Sequence, residues 1–312
     1  MDACKHLPKN RATDVKRVAQ CVLTLANRIM IIKSLTKTSF DTIYKAFSQA
    51  FADYELQPNR DELQAMLKRR RFDPNLSFAA FDGDDIVAFT LNGIGVFNGV
   101  PTAYDTGTGT LKDYRGRGLA TKIFEHSIPY LKEAKIEQYL LEVLQHNTKA
   151  VSVYRNLGFE TTREFYYFIQ KNEDVHNNIE NIDPAYSIKS IEIEKLDSIM
   201  NFWDFHPSWQ NNLESIQSVR ENFVSLGVFI GQELVGYCVF EPASGDVTQI
   251  AVEKHHRRKG IASLLLSEII KLNKKDAIKI VNTDILCSPI THFLNVKNIA
   301  ATGKQFEMIK KI

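Results

Sequence analysis

Hydrophobic and polar positions follow two different periods along this chain, which predicts a mixture of helices and strands. In residues 39–51 the apolar side chains recur at three- and four-residue spacing behind Ser39, a residue type that caps helices. Further helices are expected after Pro58, from about Gly118 and over residues 148–156. Strands are expected at "LSFAAF", "DIVAFTLNGI", "TAYDTGTGT", "EQYLLEV" and "EFYYFIQ". The pattern therefore indicates an α/β (α+β) fold.

The same order of elements occurs twice. "IIKSLTKTSFDTIYKAF" from Ile31 aligns without a gap on "SIKSIEIEKLDSIMNFW" from Ser187, at an offset of 156 positions. "DIVAFTL" matches "ELVGYCV" at an offset of 148, and Arg115 matches Arg257 at 142. Two related halves are therefore predicted, and the second has lost residues in its early helical region and in the hairpin after that strand.

The length of 312 residues fits two ordinary domains. The repeat places them at residues 30–170 and 187–312, and the polar stretch 171–186 is expected to link them. Residues 1–29 lie outside the repeat, and two interpretations stay open for them. They are either an ordered appendage or an over-extension of a chain whose translation begins at Met30.

Composition and charge narrow the class of protein. Hydrophobic residues at 44% and charged residues at 24% are typical of a soluble globular protein, and no apolar run is long enough to span a membrane. A formal charge of +2 disfavours a nucleic-acid surface, and the cluster Lys68–Arg71 is expected to be the solvated, cation-rich end of a helix. Four scattered cysteines without a CxxC pair favour a reducing, cytoplasmic compartment, and no metal site is indicated.

A turn rich in glycine and arginine separates a predicted strand from a predicted helix. Its sequence "YRGRGLATKIF" and the second copy "HRRKGIASLLL" share the pattern Arg-x-x-Gly-x-Ala. The first N–H groups of a helix have no intrahelical partner, and Gly116 and Gly118 let a phosphate approach the backbone. One isolated copy would fit a simple helix start, but two copies at corresponding places predict a pyrophosphate site. Neither GxxxxGK[ST] nor GxGxxG is present, which disfavours ATP and NAD.

A second pattern lies in "EVLQHNTKAVSVYRNLGFE". Asn147, Ala150, Tyr154, Gly158 and Phe159 form N-x-x-A-x-x-x-Y-x-x-x-G-F, in which the first three lie near one face of a helix. By itself this pattern also fits a core helix that ends at a left-handed glycine. Whether this pattern marks a binding site or a core helix therefore depends on the turn that precedes it.

Together the turn and this helix resemble the acetyl-CoA-binding signature of the GNAT superfamily of N-acetyltransferases. The resemblance covers most of residues 30–170 and, more weakly, 187–312. It implies two GNAT-like domains, each with a central mixed, mostly antiparallel sheet flanked by helices. It also implies acetyl transfer from acetyl-CoA to a primary amine by direct attack on the thioester, without a metal. The amine acceptor would be a small molecule or a peptide, and a homodimer is left open.

The resemblance implies roles for individual residues. Tyr154 would protonate the leaving thiolate, because a phenol keeps its proton at neutral pH. Asn147 would bind or orient the pantetheine arm, and Glu142 is a candidate base beside His146 and Asp105. The residues expected to bind coenzyme A are Leu111, Arg115, Gly116, Arg117, Gly118, Leu119, Ala120, Asn147 and Ala150.

The second half departs from the family pattern. It keeps Arg257, Gly260 and Ala262 of the turn, but "CSPITHFLNVKNIAAT" has no tyrosine where one should stand. We therefore expect the second half to be degenerate, although it could still hold coenzyme A or use another acid. The alternative for the chain is a non-catalytic acyl-CoA-binding sensor or scaffold protein. The acceptor stays unidentified, with Tyr54 and Glu55 as weak candidates to hold it.

Overall fold

The computed structural model describes residues 30–53, 57–179, 182–193 and 199–312, and within these ranges the chain forms twelve strands and seven α-helices. The extension 1–29 and the candidates Tyr54 and Glu55 lie outside the described residues. The strands are β1 (Ile31–Ser34), β2 (Phe78–Asp82), β3 (Asp85–Phe97), β4 (Val100–Thr110), β5 (Gln138–Leu144), β6 (Glu160–Lys171), β7 (Tyr186–Ser190), β8 (Val224–Ile230), β9 (Glu233–Glu241), β10 (Asp246–Val252), β11 (Ala277–Asp284) and β12 (Ala301–Lys311). The helices are α1 (Phe40–Ala50), α2 (Arg60–Arg69), α3 (Leu119–Glu133), α4 (Thr148–Asn156), α5 (Leu213–Ser218), α6 (Ile261–Leu272) and α7 (Ser288–Val296).

The twelve strands form one sheet whose order is symmetric about its centre. The order is β1-β2-β3-β4-β5-β12-β6-β11-β10-β9-β8-β7, so both edges give the same succession of corresponding strands. The pairs β4–β5 and β10–β11 are parallel, and the other neighbours are antiparallel. The mixed, mostly antiparallel sheet expected from the sequence is confirmed, and a pseudo-twofold axis passes between β12 and β6.

The two halves exchange their last strands. β12 of the second half lies between β5 and β6 of the first half. Met308 of β12 pairs with Leu141 of β5 and is buried in a core cluster formed mainly by first-half residues. Phe168 of β6 belongs in turn to the main core cluster of the second half. The predicted ranges 30–170 and 187–312 therefore share one sheet, and each completes the core of the other.

Local signals account for the start of the first two helices. Ser39 caps the first turn of α1 with its side-chain oxygen, and Asn59 and Glu62 form a capping box at α2. The apolar face of α1, which includes Ile43 and Phe47, is buried in a cluster with residues of β2 and β3. The helix predicted behind Ser39 is therefore confirmed in both its cap and its buried face.

The fourth strand of each half carries a bulge at a threonine. The register of β4 against β3 skips Thr106, and the register of β10 against β9 skips Thr248. These threonines are 142 positions apart, the same offset that relates the two turns. The parallel pairing of β4 with β5 is confined to Thr102–Tyr104 on β4, before the bulge. The neighbouring strands therefore diverge beyond this point and leave an opening in the sheet.

The prediction that Lys68–Arg71 form a solvated helix end is wrong for its arginines. Arg69 is only 9% exposed, and its guanidinium lies 2.5 Å from a carboxylate oxygen of Asp246 on β10. Arg70 donates to the side-chain oxygen of Gln210 at 3.0 Å. The helix itself was predicted correctly. Its end is buried because residues of the second half, distant in sequence, pack against it.

Candidate active site

The turn between β4 and α3 has a backbone conformation that favours glycine. Gly116 and Gly118 have φ values of 77° and 69°, and beyond their adjoining residues no described atom lies within 4 Å of the position of an added Cβ. Leu111 precedes the turn and packs beside the α1 core. Leu119 and Ala120 begin α3, so their N–H groups have no intrahelical acceptor. A phosphate can approach this backbone, as a pyrophosphate site requires.

The two arginines of the turn make different contacts. Arg115 donates to the carbonyl of Ala50 at 2.8 Å and forms an ion pair with Asp53 at 3.0 Å, so it ties the turn to the end of α1. Arg117 is exposed and donates to the carbonyl of Asp113 at 2.8 Å. Arg115 therefore fixes the shape of the turn, whereas Arg117 adds positive charge at its surface. Their contact with coenzyme A stays a prediction.

Tyr154 of α4 reaches across the opening to β4. Its Oη donates to Oδ2 of Asp105 at 3.0 Å. The same carboxylate accepts hydrogen bonds from Thr108 Oγ1 at 2.8 Å and from the N–H of Gly107 at 2.9 Å. Burial raises the pKa of Asp105, and these hydrogen bonds reduce that increase. The tyrosine identified from its spacing thus belongs to a phenol–carboxylate pair where β4 and β5 diverge.

The helix that carries Tyr154 is fixed at both ends. Asn147 Oδ1 accepts the N–H of Ala150 at 3.2 Å, which caps the start of α4. Gly158 follows the helix with a φ of 84°, as the sequence predicts for a left-handed glycine. The Tyr154 ring makes an edge contact with Phe159 at a centroid distance of 5.6 Å. These contacts hold the phenol in place beside the opening.

Glu142 of β5 lies in a polar contact between the halves. Its Oε2 accepts hydrogen bonds from Tyr104 Oη at 3.0 Å and from Gln210 Nε2 at 2.8 Å. Trp209 stacks on Tyr104 with ring centroids 5.2 Å apart. Burial raises the pKa of Glu142. Trp209 and Gln210 were missed by the sequence analysis because no local pattern links them to the first half.

The candidate bases do not lie together. Adjacent strand residues point to opposite faces of a sheet, so Tyr104, which binds Glu142, and Asp105, which binds Tyr154, point in opposite directions. His146 is exposed on the loop before α4. Asp105 is thus the candidate that the structure brings to Tyr154, whereas the assignment of Glu142 as the base stays a prediction.

The second half repeats this backbone with other side chains. Helices α4 and α7 are both nine residues long, and each follows the strand that diverges from the bulged one. The places of Tyr154, Asp105 and Glu142 are occupied by Leu294, Val247 and Asn282. A cleft of about 740 Å³ nevertheless lies between β10 and β11. The second half therefore lacks the titratable groups of the first but keeps an open site.

Two family models match the chain, each over one half. The acetyltransferase (GNAT) family matches residues 40–159, and an acetyltransferase (GNAT) domain matches residues 223–297. The chain belongs to the GNAT superfamily of acetyltransferases. Each match contains one glycine turn and the helix that follows the diverging strand. The protein is therefore a tandem GNAT acetyltransferase.

Curated relatives of this tandem GNAT protein match about one third of its length. It is 29% identical over 107 residues to N-alpha-acetyltransferase 30 of Schizosaccharomyces pombe, an alignment that covers 34% of this chain and 71% of that protein. It is 28% identical over 95 residues to N-alpha-acetyltransferase MAK3 of Arabidopsis thaliana, with 30% of this chain and 50% of that protein covered. These likenesses concern a segment no longer than one half of the tandem protein.

A solved structure shares the whole tandem GNAT architecture. A tandem GNAT protein from the clavulanic acid biosynthesis pathway matches with a TM-score of 0.70 and 11% identity, over 91% of this chain and 98% of that one. At this identity the likeness shows the fold alone. Among the described residues of our tandem GNAT protein, no helix is long and apolar enough to cross a membrane.

Proposed function

We propose that the first half transfers an acetyl group from acetyl-CoA to a primary amine. The observation that carries this proposal is the hydrogen bond between Tyr154 and Asp105, at the opening between β4 and β5 and on the same strand that leads into the glycine turn. A thioester with its phosphates on the turn would extend its acyl end along that opening. Membership of the GNAT superfamily supports acetyl transfer in general, and the donor and acceptor are our proposal.

The residues of the turn suit the chemistry of coenzyme A. The open space at Gly116 and Gly118 and the N–H groups that begin α3 suit a pyrophosphate. The exposed Arg117 adds positive charge, and Arg115 holds the turn against α1. Asn147 would orient the pantetheine arm, as the family resemblance implies. Bound there, acetyl-CoA would supply an activated acetyl group.

The phenol–carboxylate pair would move one proton from the amine to the leaving sulfur. Asp105 Oδ2 would accept the amine proton, directly or through water, while the N–C bond forms. Tyr154 Oη would donate its own proton to the sulfur as the C–S bond breaks. Asp105 would then return the amine proton to Tyr154 through their 3.0 Å hydrogen bond. The raised pKa of Asp105 suits this role, because it brings the carboxylate closer in basicity to the groups it serves.

Asp105 suits the role of base better than Glu142, because Asp105 contacts Tyr154. The carboxylate of Glu142 instead accepts hydrogen bonds from Tyr104 and Gln210, on the face of β4 opposite to Asp105. Glu142 would therefore position the first half against the second, and its contribution to turnover would be indirect.

The acceptor we favour is the α-amino group of a peptide. The two relatives from Schizosaccharomyces pombe and Arabidopsis thaliana are named N-alpha-acetyltransferases. An α-amino group has a pKa of about 7.7–8.0, against about 10.4 for lysine, so more of it is uncharged and able to attack at neutral pH. Small primary amines are the second acceptor class to test.

The test is acetyl transfer by the full chain. A peptide with a free N-terminus and one internal lysine is incubated with acetyl-CoA, beside the same peptide with a blocked N-terminus. Thiol release gives the rate, and mass spectrometry locates the acetyl group. We expect modification of the free α-amino group and no thiol release with the blocked peptide. Acetylation of lysine in both peptides would contradict the α-amine assignment.

A matched pair of glycine variants tests the turn. Gly118→Val should abolish transfer, because it places a branched side chain where the phosphate would approach and at a φ of 69°. Gly99→Val, at a φ of 79° in the β3–β4 turn, brings similar backbone strain at the opposite end of β4 from the glycine turn and should leave transfer intact. Equal losses in both variants would contradict the turn assignment.

A second candidate function is a non-catalytic acyl-CoA sensor or scaffold. The observation that favours it is the loss of the phenol and the carboxylate in the second half, which has Leu294 and Val247 at those places. Binding of acetyl-CoA without thiol release from any amine would favour this candidate. No binding of acetyl-CoA at all would overturn both functions.

A further inference from the structure

Arg70, at the end of α2, joins the second half of the protein to the site proposed for the first half. Its guanidinium donates to the carbonyl oxygen of Thr106 at 2.9 Å and to Oε1 of Gln210 at 3.0 Å. Thr106 is the bulge residue of β4, and Gln210 lies in the second half, 140 positions after Arg70. One side chain therefore connects the second half with the point where β4 and β5 diverge.

The carbonyl that Arg70 holds belongs to the same peptide group as the N–H of Gly107. That N–H donates to Oδ1 of Asp105 at 2.9 Å. A peptide group is planar and moves as one unit, so a donor held on its carbonyl also fixes the direction of its N–H. Arg70 therefore acts through this peptide group on the carboxylate that accepts the hydrogen bond of Tyr154.

A glycine of β3 explains how a residue at the end of α2 reaches β4. A Cβ at Gly93 would lie 1.9 Å from the carbonyl oxygen of Arg70, so only glycine permits this approach. The end of the helix lies directly on β3, and β4 is the next strand of the sheet. The long side chain of Arg70 can therefore cross β3 and reach Thr106.

The second half fixes both the backbone and the side chain of Arg70. Trp209 Nε1 donates to the backbone carbonyl of Arg70 at 3.2 Å. Gln210 Nε2 donates to Oε2 of Glu142 at 2.8 Å, which orients the amide so that its oxygen faces the guanidinium. Glu142 contributes to this arrangement by orienting Gln210, although it lies on the other face of the strands from Asp105.

Asp105 interacts with titratable and charged groups on four elements of the described chain. These groups are Arg70 of α2, Tyr154 of α4, Tyr139 of β5 and Tyr104 of β4. Burial raises the pKa of Tyr104 and of Tyr139 well above the usual phenol value, so both rings stay neutral. Burial also raises the pKa of Asp105, and the cation Arg70 opposes this increase. Arg70 therefore favours the carboxylate form of Asp105.

We propose that Arg70 is a positioning residue for acetyl transfer, and that the second half takes part in the reaction by holding Arg70 through Gln210. Arg70 fixes the bulge of β4 and, through the peptide group after Thr106, the carboxylate of Asp105. This inference rests on the function proposed for the first half. It gives the second half a role in turnover that needs neither a reactive group nor a ligand of its own.

The experiment measures kcat and kcat/KM of the full chain against pH. In the wild type, kcat/KM should rise with pH as the Asp105 carboxylate forms. Arg70→Met should lower kcat about 10-fold or more, because Asp105 is no longer held in place. It should also move the rise to higher pH, since the cation that favours the carboxylate is removed. Arg70→Lys keeps the charge, but one ammonium cannot replace the two contacts of the guanidinium, so kcat should fall while the rise stays near its wild-type pH.

Two further variants separate positioning from packing. Gln210→Met has a similar volume but cannot hold the guanidinium, so it should lower kcat about 3- to 10-fold while the rise stays near its wild-type pH. Arg71 is the next residue, pairs with Glu214 of the second half at 3.1 Å and lies over the ring of Trp209. Arg71→Met should lower the free energy of unfolding but leave kcat within about twofold, because these contacts do not involve β4.

Urea denaturation shows which variants are folded under the assay conditions. If Arg70→Met does not fold, Arg70→Lys and Gln210→Met decide the question. An unchanged kcat in Gln210→Met would overturn the role of the second half. An unchanged kcat in Arg70→Lys, or an equal loss of kcat in Arg71→Met, would overturn the positioning role of Arg70 and leave acetyl transfer in place. A wild-type chain that transfers no acetyl group would overturn the proposed function and this inference with it.

Discussion

The two halves of this protein share a backbone but differ in the side chains that could perform chemistry. Each has a strand with a threonine bulge, a left-handed turn and a nine-residue helix. Beside the diverging strands the first half has the pair Tyr154 and Asp105, and the second half has Leu294 and Val247 at the same places. The bulge, the turn and the helix thus recur in both halves, whereas the reactive groups do not. A shared fold therefore does not imply a shared activity within one chain.

The clefts also differ because different elements cover them. In the first half, α1 runs for eleven residues and packs on β4, whose glycines let the helix approach closely. In the second half, Trp203 packs in the same cluster as Ala251 of β10, and Gln249, which takes the place of Gly107, lines a cleft. The corresponding openings of the two halves are therefore covered by different elements and lined by different side chains.

A substitution at the contact that joins the two halves should have the largest effect. Arg69→Met should lower the free energy of unfolding by about 3–5 kcal/mol, because it leaves the buried carboxylate of Asp246 without its cation. Urea denaturation measures this loss. The control is Lys68→Met, which removes the exposed pair with Glu221 and should cost less than about 1 kcal/mol. Similar losses in the two variants would mean that Arg69 is not essential to the interface.

The stability that this contact contributes should depend on pH. Burial opposes the charge on Asp246, but Arg69, Lys279 and Arg70 together outweigh this effect, so the pKa of Asp246 is lowered in the folded protein. Its stabilising contribution is therefore complete above the unfolded pKa of about 3.9 and is lost as the pH falls through the folded value. The difference in stability between wild type and Arg69→Met should shrink below about pH 4. A difference that stays constant between pH 7 and pH 3 would contradict this assignment.

Tyr154→Phe tests the chemical difference between the halves. We expect kcat to fall by about 10²-fold, since the variant cannot protonate the leaving sulfur, with the Kd of acetyl-CoA nearly unchanged. Steady-state kinetics and calorimetry measure the two effects. Leu294→Met changes the corresponding residue of the second half and should leave kcat unchanged. An unchanged kcat in Tyr154→Phe would remove this residue from the mechanism.

Asp105→Asn tests which carboxylate accepts the amine proton. Because burial raises the pKa of Asp105, kcat/KM of the wild type should rise with pH through that raised value as the carboxylate forms. Asp105→Asn should lose this rise and lower kcat/KM about 10-fold at neutral pH. Glu142→Gln should keep the rise. The opposite result, with the rise lost only in Glu142→Gln, would make Glu142 the base.

The smallest expected effect concerns the start of the helix that carries the phenol. Asn147→Ala should lower the free energy of unfolding by about 1 kcal/mol, because it removes the side-chain cap of α4. Asn147→Ser keeps a capping oxygen, so its loss in free energy of unfolding should be only a few tenths of the loss in Asn147→Ala. The counterpart Cys287 makes no cap hydrogen bond at α7, so this capping contribution belongs to the first half alone. Equal losses for alanine and serine would show that capping is not the cause.

The sequence by itself determined the elements and the turn. Helix periodicity, caps such as Ser39 and the glycines of the turn act within a few residues, so they can be identified without tertiary contacts. The spacing from Asn147 to Gly158 placed Tyr154 on its helix for the same reason. The repeated order of elements, with offsets that fall from 156 to 142, predicted two related halves, which the symmetric strand order confirms.

The tertiary structure alone decided how these elements meet. The exchange of β6 and β12 has no local signal, because either strand presents a similar alternating pattern to its neighbours. Arg69 and Asp246 are 177 positions apart, so periodicity predicted a solvated arginine where packing buries an ion pair. Tyr154 and Asp105 are 49 positions apart, and they meet because the fold places α4 beside β4. Contacts between distant residues depend on strand order and register, which local patterns do not specify.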